Sequence, residues 1–260
     1  MTDQVKYTQK LKGAKVLVIG GSSGIGYGVA EALVEHGAIV TVSSSNPDRV
    51  QKTVDSLKKS YPSASDSISG HACNLGDQAT VEDNIKQLFE KVGKLDHVVY
   101  TAGDPLAMMP LEDVSMEKMV KAGMVRFFAP LLVGKYAPKY LSGGPKSSIT
   151  LTTGSVSERP RPSWSVIGSF ATGLQGMCRG LALDLKPIRV NLISPGAVDT
   201  ELWAHMTDEQ KANMFKELAE KQPTGAVGSV QDVVHSYLGV IQDYNMTGSM
   251  ISTNSGTLLV

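Results

Sequence analysis

The sequence predicts an α/β fold, a doubly wound parallel sheet of about seven strands forming one domain over residues 1–260. Two observations carry that expectation. Strand signals alternate with helix signals from near the start of the chain to its end, the pattern of a parallel sheet covered on both faces. No low-complexity linker or internal repeat divides the 260 residues, a length ordinary for one such domain.

In order, residues 15–19 (Lys-Val-Leu-Val-Ile) stop at glycines, as a buried parallel strand does, and 25–36 follows as a helix ended by Gly37. Residues 38–42 form the second strand. The helix at 48–60 closes at Tyr61-Pro62, because the residue before a proline is pushed out of the helical region. The cycle repeats with a strand at 68–73, a helix at 80–92 and a strand at 95–100. A long helix is expected from about 116 to 140, then a strand at 148–152, a helix from about 163 to 185, a sixth strand at 188–193 and a seventh at 250–252. The stretch 197–222 is the irregular insertion, carrying Trp203, His205 and a short helical patch at 208–221. Loops beyond the carboxyl ends of such strands bind ligands, so it reads as a substrate lid.

Composition narrows the function. Lys plus Arg equals Asp plus Glu, 25 against 25, with the signs interspersed, which argues against nucleic-acid and anionic-membrane partners. Cys73 and Cys178 lack metal-ligand or redox spacing, so no metal is expected and the setting is a reducing one. The first 15 residues lack a signal-type apolar core, and no apolar run is long enough to span a bilayer. A soluble, cytoplasmic protein acting on a small molecule is the expectation.

Between the first strand and first helix stands Gly20-Gly-Ser22-Ser23-Gly24-Ile25-Gly26. Glycines at a βα junction let the backbone turn sharply and approach a diphosphate, whose charge faces the helix N-terminus. With this motif, Thr101-Ala102-Gly103 after the fourth strand, and Arg189-Val-Asn191 with Ser194-Pro195-Gly196, the chain resembles the short-chain dehydrogenase/reductase family from about Leu11 to Leu259. The resemblance implies a Rossmann-type NADP(H)- or NAD(H)-binding domain. It places Ala102 and Gly103 beside the cofactor, Asn74 and Leu75 at the adenine, and Pro195, Gly196, Val198 and Thr200 at the nicotinamide end.

The end of the second strand sets the cofactor preference. An NAD site puts an acid there. This chain has Ser43, Ser44 and Ser45, with Arg49 beyond, and hydroxyls plus a guanidinium suit a 2′-phosphate, so NADP(H) is expected. The alternative is a solvated Arg49 on a helix that the serines merely cap.

The family's catalytic group is Ser, Tyr, Lys and a helix-borne Asn. Ser155 fits the Ser position and Arg126 falls where the Asn belongs. Counting back from Leu181 puts Ile167 at the Tyr position and Ala171 at the Lys position, and no tyrosine of the chain has a lysine four residues later. A positioned general acid contributes about a hundred- to ten-thousand-fold, and neither Ile nor Ala can donate a proton. Ordinary ketone reduction is therefore expected to be slow or absent. Hydride transfer to a protonated imine needs no acid, and Trp164 is a candidate platform for a cation. Arg126 instead suits an anion, such as the enolate formed when a conjugated double bond is reduced. The two vacancies resemble fungal members of the family that act in indole-alkaloid assembly, reducing an iminium with NADPH and guiding a cycloaddition in the same pocket.

The expected function is an atypical NADP(H)-dependent oxidoreductase delivering hydride to an iminium or other activated acceptor, in secondary metabolism. The alternative is a non-redox cofactor-binding protein or cyclase using the same pocket. Arg126 paired with an acid such as Glu158, His205 as a substitute acid or a solvated loop residue, and Trp164 and Trp203 as substrate platforms or core residues all remain open. The resemblance also implies a homodimer or homotetramer through the long fifth and sixth helices, although Asn254-Ser-Gly256 departs from the family's usual Asp-Gly-Gly.

Overall fold

A computed structural model describes residues 5–260 of the chain. Seven strands, β1 (Lys15–Ile19), β2 (Ile39–Ser44), β3 (Ile68–Ala72), β4 (His97–Tyr100), β5 (Ser148–Thr152), β6 (Arg189–Pro195) and β7 (Met250–Thr253), form one all-parallel sheet. Their order is β3-β2-β1-β4-β5-β6-β7. The connections reverse direction between β1 and β4, and such a reversal opens a crevice at the carboxyl ends of the strands.

Helices α1 (Gly24–Glu35), α2 (Pro47–Ser60) and α8 (Val230–Gln242) cover one face, while α3 (Val81–Val92), α5 (Ala129–Tyr136) and α6 (Ser165–Asp184) cover the other. The central strands β1, β4 and β5 are buried along almost their whole length; β1 and β4 carry mostly apolar side chains, whereas β5 (Ser-Ile-Thr-Leu-Thr) alternates apolar residues with buried hydroxyls. Among the described residues no helix is long and apolar enough to cross a membrane.

The helix expected from 116 to 140 is helical through Lys139 but changes type along its length, closing in a 3-10 turn at Ala137–Lys139. α4 (Met116–Gly123) ends in a π-helical turn, Met124–Phe128, before α5 resumes at Ala129. Pro130 explains the slip, for it has no N–H to give the carbonyl of Arg126 four residues earlier. Tyr100, at the end of β4, donates its buried hydroxyl to the Val125 carbonyl inside that turn at 2.5 Å. The patch expected at 208–221 is a 14-residue helix, α7 (Asp208–Lys221), started by a capping box between Thr207 and Gln210.

Sequence reading missed α8 altogether. Its signals were present: Ser229 and Asp232 form a capping box, and Val233, Val234, Tyr237, Leu238, Val240 and Ile241 make the buried face. The Arg189-Val-Asn191 motif holds this helix. Arg189 donates to the carbonyls of Val240, Ile241, Met246 and Pro145 at 2.6 to 3.1 Å, and Asn191 donates to Met246 and receives the Ser249 N–H.

Candidate active site

The carboxyl ends of β1, β2, β4, β5 and β6 surround a cleft of about 710 Å³. At one end lies the glycine-rich turn. Gly20 adopts φ +93°, and a β-carbon there would lie 2.3 Å from the Ala102 nitrogen, so no other residue fits between β1 and the segment after β4. At Gly26 a β-carbon would strike the Gly20 carbonyl at 2.2 Å, which seats the first turn of α1 directly on the loop. Ser23 precedes α1 without a side-chain capping bond. The first-turn N–H groups, at the positive end of the helix, are thus left free of any side-chain acceptor, as a bound diphosphate requires.

At the end of β2 the three serines separate. Ser44 and Ser45 line the cleft; Ser43 does not. Ser43, expected at the cofactor, is fully buried, and its carbonyl receives the N–H groups of Gly20 and Gly21. It shapes the turn from behind, because alternate residues of a strand point to opposite faces. The Ser44 hydroxyl is buried with no partner among the described residues, and an orphaned donor at this point fits the ribose end of a dinucleotide. Arg49 reaches Ser45 Oγ at 3.3 Å from the first turn of α2 and also lines the cleft. That turn is capped by Asn46, not by the serines.

The other end of the cleft is set by the π-helical turn and α6. Ile167 and Ala171, one turn apart and nearly buried, present an apolar wall with Phe170 and Leu174. No tyrosine and no lysine lines the cleft among the described residues. Ser155 stands at the start of a short helical turn after β5, with its hydroxyl unbonded among the described residues.

Arg126 lies across Gly103, where a β-carbon would come within 2.8 Å of the guanidinium carbon. It donates from Nε, at 3.0 Å, and from Nη2 to the carbonyl of Asp104, so Glu158 is not its partner. Glu158 instead receives Ser252 at 3.4 Å. Burial lowers the Arg126 pKa while Asp104 pulls the other way, yet a guanidinium keeps its charge at neutral pH. Burial raises the Asp104 carboxyl against the opposing pull of Arg126.

Every predicted site residue other than Ser43 lines this cleft, the Asn74-Leu75 and Pro195-to-Thr200 segments included. The indole of Trp164 carries the Arg161 guanidinium 5.4 Å above its ring, so one of its two faces is already occupied by a cation. Trp203 donates to the Val198 carbonyl at 2.9 Å and meets Phe215 of α7 edge-on. Sequence reading missed Asp104, Arg161 and Glu201, which also line the cleft. Asp104 directly follows Thr101-Ala-Gly103 and Arg161 lies three residues before Trp164, so each stood beside a residue already singled out.

A doubly wound domain with a glycine cradle at its switch point defines a dinucleotide-binding protein of the Rossmann type. The chain belongs to the short-chain dehydrogenase/reductase family: the family model described as an SDR-like Rossmann domain matches residues 7–260. It is 45% identical over 259 residues to the short-chain dehydrogenase/reductase fsr5 of Gibberella fujikuroi, with 98% of each chain covered. It is 37% identical over 254 residues to the short-chain dehydrogenase/reductase malC of Malbranchea aurantiaca, with 96% of each covered. The solved structure described as the MalC reductase/Diels-Alderase superposes with a TM-score of 0.92, over 97% of this chain and 99% of that one. A crystal structure of a small-chain dehydrogenase in complex with NADPH is 27% identical, with a TM-score of 0.79 over 96% of this chain and all of that one.

Proposed function

We propose that this protein is an NADP(H)-dependent oxidoreductase that transfers hydride to an activated acceptor, and that a conjugated carbonyl is the acceptor it suits best. The observation that carries the reading is the pairing of a complete dinucleotide cradle with a reaction end that has neither a tyrosine nor a lysine but does have Arg126. The Gly20-to-Gly26 turn would hold the diphosphate, Ser44, Ser45 and Arg49 the 2′-phosphate, Asn74 and Leu75 the adenine, and the Pro195-to-Thr200 segment the nicotinamide end. NADPH, when bound, supplies the hydride.

The chain's own residues must then orient the acceptor and hold the charge that develops on it. Arg126 uses Nε and Nη2 on Asp104, leaving Nη1 without a partner among the described residues and able to hold an enolate oxygen. Ser155 donates a second hydrogen bond to the same oxygen. Ile167 and Ala171 exclude water from the acceptor's apolar body. The enolate carbon takes its proton from water. A cationic iminium is disfavoured next to the Arg126 guanidinium, and Arg161 occupies one face of Trp164.

A second reading, a pocket that folds a substrate for cyclisation, is supported by the likeness to the structure described as a reductase/Diels-Alderase and by the same apolar wall. Loss of nicotinamide absorbance with a panel of matched α,β-unsaturated carbonyls, cyclic iminium ions and saturated ketones tests both readings. Turnover greatest with the unsaturated carbonyls and absent with the ketones is expected. Turnover with iminium ions alone would overturn the role given to Arg126, and NADPH binding without turnover on any class would favour the cyclase.

A further inference from the structure

The root of the expected lid touches the phosphate cradle. Gly24, the first residue of α1, has φ +50°, and a β-carbon on it would lie 3.2 Å from Thr200 Cβ and Cγ2 and 3.4 Å from Glu201 Oε2. The Glu201 carboxylate therefore lies against the N-terminus of α1, where the free N–H groups and the positive end of the helix dipole favour an anion. Glu201 is exposed and makes no ion pair among the described residues, so its carboxylate is not tied to any one cation.

This segment is braced as a unit. Trp203 is bonded to Val198, Lys211 of α7 pairs with Asp199 at 2.5 Å, and the Trp203 ring packs on Phe215. Two backbone bonds tie its ends together, Asp199 N–H to the Gly228 carbonyl and Gly228 N–H to the Ala197 carbonyl, both at 3.2 Å. α7 itself buries no residue completely, so little apolar contact opposes its displacement.

From this geometry we infer that Glu201 is a charged latch: its carboxylate and a dinucleotide diphosphate compete for the N-terminus of α1, which couples cofactor binding to displacement of the lid. The inference rests on the cofactor reading above and adds to it a residue that weakens cofactor affinity. Equilibrium titration with NADPH, followed by nicotinamide fluorescence, tests it on the full chain. Glu201→Gln, an exposed and nearly isosteric change, is expected to tighten NADPH about ten-fold at low salt, with the gain shrinking as salt screens the charge. Adenosine 2′-monophosphate, which has no diphosphate, should bind wild type and variant alike. Glu217→Gln, which removes an equal charge from the exposed side of α7, should leave NADPH affinity unchanged.

NADPH binding no tighter in Glu201→Gln than in wild type would overturn the latch and leave the cofactor reading standing. An equal gain for adenosine 2′-monophosphate, or in Glu217→Gln, would overturn it as a general charge effect. Binding of NADPH to neither wild type nor Glu201→Gln would overturn both the latch and the cofactor reading.

Discussion

Two arginines, each bonded to backbone carbonyls and to no carboxylate among the described residues, stand at opposite ends of the sheet's strands. Arg189, 3% exposed at the start of β6, spends Nε, Nη1 and Nη2 on four carbonyls, including two from the last turn of α8. Its charge meets the negative end of that helix, and every nitrogen has an acceptor. Arg126 commits two nitrogens to the single carbonyl of Asp104 and presents the third to the cleft. The first guanidinium is saturated by its fold; the second is positioned by its fold but left with a donor to spare. The two guanidiniums thus differ in how many of their donors the backbone consumes, and the residue type alone does not decide it.

The contrast breaks most sharply at Arg189. Arg189→Met orphans four carbonyls at once, and a loss of about 3–5 kcal/mol is expected. In thermal denaturation this should lower Tm by roughly 10 °C. Arg126→Gln should do the reverse, costing stability only about 1 kcal/mol but lowering turnover on an unsaturated carbonyl about a hundred-fold, with KM less affected. An Arg126→Gln variant destabilised as much as Arg189→Met, or an Arg189→Met variant with an unchanged Tm, would dissolve the distinction.

His97 sharpens the structural side. It lies on β4, 3% exposed, 2.9 Å from Ser148 Oγ, and burial first and the Arg189 charge second lower its pKa from 6.5 to about 4. The folded protein keeps the imidazole neutral while the unfolded chain protonates it. Its contribution is therefore fully present above pH 6.5 and is lost as the pH falls towards 4, about 3 kcal/mol in all. Urea denaturation across that range should show the loss, and His97→Gln should flatten it. The smallest effect belongs to the site's scaffold: Tyr100→Phe removes the donor to the Val125 carbonyl, costing about 1–2 kcal/mol. Because that carbonyl belongs to the turn that aims Arg126, turnover should fall with it.

Much of this was legible from local pattern. The strand–helix alternation appears in the structure with the strands at 15–19 and 148–152 unshifted and the boundaries of the other five shifted by at most two residues, since strands and amphipathic helices advertise themselves in patterns a few residues long. The cradle was legible because its glycines sit at one βα junction. What escaped notice involves contacts between distant segments or a break in local period. The long helix read as continuous because Pro130 sits within an otherwise helical pattern, and the π-helical turn depends on Tyr100 as well. Helix α8 went unseen although its capping box and apolar face were in the sequence, so that omission was one of reading.

The chain alone determined the class of fold, the glycine-rich turn between β1 and α1, and the presence of Ile167 and Ala171 where the family resemblance expects Tyr and Lys. Those features follow from residue type and spacing along a few turns of backbone. Only the tertiary structure decided which serine faces the cleft, that Arg126 lies on Asp104 and not on Glu158, that Arg161 already covers Trp164, and that Glu201 reaches the cradle. Each of these depends on where a side chain points once segments remote in sequence have packed, and hydrogen-bond donors and charges act over only a few ångströms.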